Sequence, residues 1–189
     1  VDPAGSRNWF MIWAKVVDDV LYIVREWPDA SMGEWAIPAE KPDGSPGPAQ
    51  RAGGGGNSIN WYKKLIIEKE DGEEIFLRLI DPRACKAKSL DGREILDELK
   101  TGEASMWFDP ASGAQIQAGV SLINDLLYYD NHSQIDDENK PRLFVSKKCK
   151  NTIFALKEWT GAGGEKGATK DVIDVTWCKR RISSRQKAC

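Results

Sequence analysis

The chain has 189 residues, 41% hydrophobic and 30% charged, with a formal net charge of −2. That is one ordinary domain with enough apolar material for a core, so default disorder is excluded. The net charge speaks against bulk electrostatic attraction to nucleic acid, but with local basic patches it neither supports nor excludes DNA binding. No apolar run approaches the roughly 20 residues of a membrane span, and no signal-peptide pattern opens the sequence.

In chain order, Val1-Asp2-Pro3-Ala4-Gly5 reads as the end of a strand followed by a turn cluster. A strand needs several residues, so upstream sequence is expected and the chain reads as an excised domain. Residues 9–17 and 20–24 are two apolar, β-branched and aromatic runs joined by Asp18-Asp19, which predicts a hairpin. Residues 38–57 are rich in Pro and Gly and are expected to form a flexible loop. Their Gly53-Gly54-Gly55-Gly56 lacks the Gly-Lys-Ser/Thr ending of a phosphate cradle, and no such motif occurs elsewhere.

Ile59, Tyr62, Leu65 and Ile66 fall at helical spacing over residues 57–69, with Ser58 as the cap. Asp71-Gly72 turns into an apolar strand over residues 75–80, which ends at Asp81. Helices are expected over 91–100 and 115–129, a buried strand over 143–145, and a helix over 151–159. A glycine-rich loop over 161–167 then leads to a closing helix over 171–181. This order predicts a single α/β domain over residues 1–189, built on a mixed sheet.

The four cysteines, Cys85, Cys149, Cys178 and Cys189, form no CxxC pair, which points to a reducing, cytoplasmic setting rather than a zinc or disulfide framework. The lone His132 is expected in a surface loop. Trp9, Trp13 and Trp107 lie on apolar runs and are expected in the core.

Asp2 and Asp81 sit at the ends of apolar strand-like segments, while Asp171 and Asp174 flank Val172-Ile173 where the last helix begins. Hydrolysis of a phosphodiester by two divalent ions needs several carboxylates and no histidine or cysteine. Adjacent parallel strands would bring Asp2 and Asp81 side by side, and the i,i+3 spacing puts Asp171 and Asp174 on one helix face. Each aspartate also has a plainer reading. Asp-Pro commonly ends a strand or opens a turn, and Asp171 suits a helix N-terminus.

These stretches, together with Tyr22-Ile23-Val24-Arg25-Glu26-Trp27, Leu79-Ile80-Asp81-Pro82-Arg83 and Lys170-Asp171-Val172-Ile173-Asp174-Val175, resemble the C-terminal nuclease domain of the large terminase subunit of tailed bacteriophages. The resemblance implies a ribonuclease H-like fold, a mixed central sheet with helices on both faces. It implies an endonuclease that uses two Mg²⁺ or Mn²⁺ ions to cut double-stranded viral DNA concatemers during packaging in the host cytoplasm. Asp2 would bridge both metals, Asp81 would be the second ligand, and Asp171 or Asp174 the third. Lys147, Lys148 and Lys150 would meet the DNA backbone. The preceding ATPase domain, the portal and the small terminase subunit would be partners in the intact protein.

At the last helix Thr176-Trp177-Cys178 departs from the family's pattern. Two other readings stand beside this one. One is another ribonuclease H-like nuclease, such as a junction resolvase; the other is a non-catalytic phage DNA-binding or assembly module in which the acids are turn formers.

Overall fold

The computed structural model describes residues 1–3, 8–29, 38–40, 46–49, 57–88, 92–111, 116–158 and 173. Its frame is the predicted hairpin. β1 (Met11–Val17) pairs antiparallel with β2 (Val20–Trp27), from Val17↔Val20 to Met11↔Trp27, with a register shift at Trp13/Ala14. Asp18 and Asp19 both take positive φ, 49° and 61°. That is the demand of a two-residue turn whose twist matches its strands, and aspartate meets it more readily than most side chains. The far edge of β2 pairs in parallel with β7 (Leu143–Val145), Leu21 facing Leu143.

A second ladder, β5 (Leu79–Ile80) parallel to β6 (Asp109–Pro110), lies apart from the first in the chain. Val1 and Asp2 join the two. Asp2 exchanges both backbone hydrogen bonds with Phe10 (2.8 and 3.1 Å), an antiparallel bridge continuing β1. On the other side the Val1 nitrogen donates to Leu79 O (2.8 Å), and the Asp81 N–H donates to Val1 O (3.0 Å). That alternation is a parallel pairing of Val1 with Ile80. Backbone bonds therefore run continuously in the order β7, β2, β1, Val1–Asp2, β5, β6, and the sheet is mixed.

Side chains alternate across this sheet and split the core in two. Phe10, Ile12, Leu21 and Ile23 point to one face, where they meet Ile123 of α4 (Ile116–Leu127), Ala155 of α5 (Lys150–Glu158) and the helical, almost fully buried Ile173. Trp9, Met11, Trp27 and Ile80 point to the other. There they are covered by Tyr62, Leu65 and Ile66 of α1 (Ile59–Glu70), Ala84 and Cys85 of α2 (Pro82–Cys85), and Leu99 of α3 (Ile95–Lys100). The described residues form a mixed α/β fold, a small mixed sheet with helices packed on both faces.

Local chemistry explains most boundaries. Ser58 caps α1, its hydroxyl accepting from Trp61 N, and Asp71 closes it in the left-handed region at φ 49°. His132 is exposed in a loop, as expected. No described helix is long and apolar enough to cross a membrane.

Three expectations need correction. Residues 38–57 are not simply a loop, because β3 (Pro38–Glu40) and β4 (Pro46–Ala49) pair antiparallel. Pro38, Pro46 and Pro48 hold φ in a range that extended chain uses, and a short edge ladder tolerates their missing donors. The strand expected over 75–80 pairs only at Leu79 and Ile80, and Phe76 is 74% exposed. Trp107 is 73% exposed rather than core, because the extended chain alternates and the buried places go to its neighbours Met106 and Phe108. Its ring instead lies 5.4 Å from the Lys100 ammonium.

Candidate carboxylate site at the sheet edge

The pairing of Val1 with Ile80 sets the geometry of two of the four sequence-predicted acids. One residue further along both strands, Asp2 stands directly across from Asp81. Adjacent strands are about 4.8 Å apart, and paired positions project to the same side. Asp2 also faces Phe10 in an antiparallel bridge, so that side is the face on which Phe10 and Ile173 are buried. Asp171 and Asp174 lie outside the described residues. Ile173 between them belongs to the core cluster that contains Phe10, the residue paired with Asp2.

Asp81 is held firmly and is only 6% exposed. Its Oδ1 accepts from Arg83 N at 2.7 Å, capping α2 with Pro82 in the first turn. The Arg83 guanidinium reaches both carboxylate oxygens, Nη2 to Oδ2 at 2.6 Å and Nε to Oδ2 and Oδ1 at 3.1 and 3.2 Å. Arg83 itself is 70% exposed, so water screens this pair and it is worth little. Beneath it, the Cys85 Sγ–H donates to Asp81 O. Burial pushes the Cys85 thiol up, and the Asp81 charge adds to the rise.

Carboxylate oxygens are the donors that Mg²⁺ and Mn²⁺ prefer, so the Asp2–Asp81 pair suits such an ion in donor chemistry, although Arg83 engages both Asp81 oxygens. Among the described residues, no group of three or more His, Cys, Asp or Glu is gathered in one place. A set of three or more such ligands would need contributions from beyond those residues.

The three predicted lysines follow β7, which runs in the same direction as Val1–Asp2 and β5, so the carboxylates and lysines leave the same end of the sheet. Lys147, Lys148 and Lys150 are all exposed. β1 and β2 separate β7 from Asp2, about 14 Å across the strands.

One functional-looking acid was missed by the sequence reading. Glu26 is 3% exposed at the end of β2, and its carboxylate accepts from Asn151 N and Thr152 N, both at 2.8 Å, and from Thr152 Oγ1 at 2.7 Å. Burial pushes its carboxyl up, against the opposing pull of the bonds from Thr152 and Asn151. Every contact points to a structural duty, anchoring the N-terminus of α5. The available signal was a lone acid, beside Arg25, among Ile23, Val24 and Trp27 in a buried strand.

No protein-family model, curated protein or solved structure matches this chain. The functional reading therefore stands on the residues and their geometry.

Proposed function

We propose that the chain is a divalent-metal-dependent endonuclease of ribonuclease H-like fold that cuts double-stranded DNA, as the nuclease part of a viral genome-packaging protein. The observation that carries the reading is the register that stands Asp2 across from Asp81 at the ends of two adjacent parallel strands. The sheet order supports it, since the first strand lies between an antiparallel hairpin and a parallel pair, with helices on both faces. Asp2 and Asp81 would hold one ion between them. Asp171 or Asp174, which lie outside the described residues, would complete the set, as the terminase resemblance implies. The bound ions would activate water and stabilise the departing oxygen. The exposed lysines at the same sheet end would take the DNA phosphates.

A second reading has one observation of its own. The Arg83 fork on Asp81 and the α2 cap suit a purely structural aspartate in a non-catalytic DNA-binding or assembly module. Supercoiled plasmid incubated with EDTA, Mg²⁺ or Mn²⁺ separates the two. Nicking and linearisation that need the metal and vanish in Asp81→Asn support the nuclease. Asparagine caps a helix about as well as aspartate, so the variant keeps its fold while losing a metal-ligating oxygen. Cleavage unchanged in that variant would remove Asp81 from the site, and no cleavage with any metal would favour the assembly module. Preference for four-way junctions over duplex would point to a resolvase instead.

A further inference from the structure

Arg83 holds the Asp81 carboxylate with its backbone and its side chain, and the two grips do different things. The backbone N–H donates to Oδ1 at 2.7 Å and caps α2, a bond that does not depend on the side chain. The guanidinium adds a fork. Its Nη2 donates to Oδ2 at 2.6 Å, and its Nε lies 3.1 Å from Oδ2 and 3.2 Å from Oδ1. A carboxylate offers about four lone-pair sites, and these bonds turn both oxygens toward one residue.

Stability alone is a poor reason for the fork. The Arg83 side chain is 70% exposed, so water screens the pair, whereas the Asp81 side chain is only 9% exposed. Asp81 stands across from Asp2, and like charges at directly opposed positions repel. A cation on Asp81 offsets that repulsion. A divalent ion shared by the two carboxylates offsets it as well, and it draws on the same oxygens. Asp81 Oδ2 cannot serve the guanidinium and an ion in full at once.

We propose that Arg83 is a tethered counter-cation, which closes the Asp2–Asp81 site when no metal is present and yields Oδ2 to the ion when one arrives. The inference rests on the metal-site reading given above. Release costs little, because an exposed guanidinium passes into water. It also leaves the fold in place, because Oδ1 keeps the Arg83 N–H and with it the cap of α2. The device sets a threshold for loading. Apparent affinity falls by the fraction of chains whose Asp81 is open, about two- to fivefold for an exposed pair.

Titration of Mn²⁺ alone into the wild-type chain and Arg83→Ala, followed calorimetrically, tests the exchange. Arg83→Ala should bind at least twofold more tightly, the reverse of the effect of removing a side chain that merely stiffens the site. Equal or weaker binding by Arg83→Ala, with the wild type binding, would overturn the exchange and leave the metal site standing. Absence of binding by both chains would overturn the two together. The Arg83 Nε–H resonance, assigned by its loss in Arg83→Ala, gives a readout independent of affinity. Its exchange with water should quicken at least threefold as Mg²⁺ is added to the wild type, and a rate unmoved at saturating Mg²⁺ would overturn the proposal.

Discussion

Glu26→Ala removes the acceptor for three donors at once, the N–H groups of Asn151 and Thr152 and the Thr152 hydroxyl. Asn151 and Thr152 are both fully buried, so water does not readily replace the lost oxygens. A buried donor left unsatisfied costs about 1–3 kcal/mol. Three in the lower part of that range, about 1–1.7 kcal/mol each, give about 3–5 kcal/mol, a large share of the about 5–15 kcal/mol that holds a domain together. Glu26→Gln keeps one acceptor oxygen but turns an amide NH₂ toward donors, and should cost about 1–3 kcal/mol. Urea unfolding followed by circular dichroism measures both variants. A loss below about 1 kcal/mol in Glu26→Ala would refute the claim that this carboxylate anchors α5. The pH dependence gives a second check. Burial raises the folded-state carboxyl above the ordinary value of 4.5. The folded state therefore binds more protons than the unfolded one, and stability attributable to Glu26 is present below that value and declines as pH rises through the raised one. Glu26→Gln should flatten the decline, and a slope unchanged by the substitution would contradict the assignment.

Further outcomes follow from other contacts. Cys149 is fully buried and its thiol is pushed up to about 12 by burial and the nearby Glu26 charge, so iodoacetamide at pH 8 should leave it unmodified until the chain unfolds. Mass-spectrometric detection of rapid native labelling at Cys149 would be the contrary result. Replacing Asp18-Asp19 by Asn-Gly should raise stability by about 0.5–1 kcal/mol, because both positions require positive φ; an unchanged urea midpoint would count against the turn assignment. Converting Lys147, Lys148 and Lys150 together to alanine should weaken duplex DNA binding and lower the salt slope by up to about 3. A titration with identical slopes would take these lysines off the DNA path.

What could be read in the sequence was what neighbouring residues decide. The hairpin was legible because two apolar runs meet at a two-residue acidic turn, and α1 because Ser58 and Asp71-Gly72 mark its ends. β7 was legible from a short apolar run. The register between Val1 and Ile80 was not, since it is set by hydrogen bonds across some eighty residues of chain. From sequence alone, Asp2 and Asp81 meet only if their strands are neighbours. Arg83 folding back on Asp81 was hidden as well, because the Asp-Pro pair signals a helix start but not where an exposed guanidinium settles. Trp107 misled because an apolar run was read as wholly buried when its period was two. Glu26 was overlooked because a carboxylate at a strand end looks solvated until α5, more than a hundred residues later, packs its N-terminus onto it.

The shared ion between Asp2 and Asp81 is the claim on which the function rests. Isothermal titration of Mn²⁺ into the wild-type chain, Asp2→Asn, Asp81→Asn and the double variant measures it directly. Each single substitution should weaken binding at least tenfold, and the double variant should be little worse than either, since both carboxylates serve one ion. No Mn²⁺ binding by the wild type at millimolar concentration, or binding indifferent to both substitutions, would contradict it.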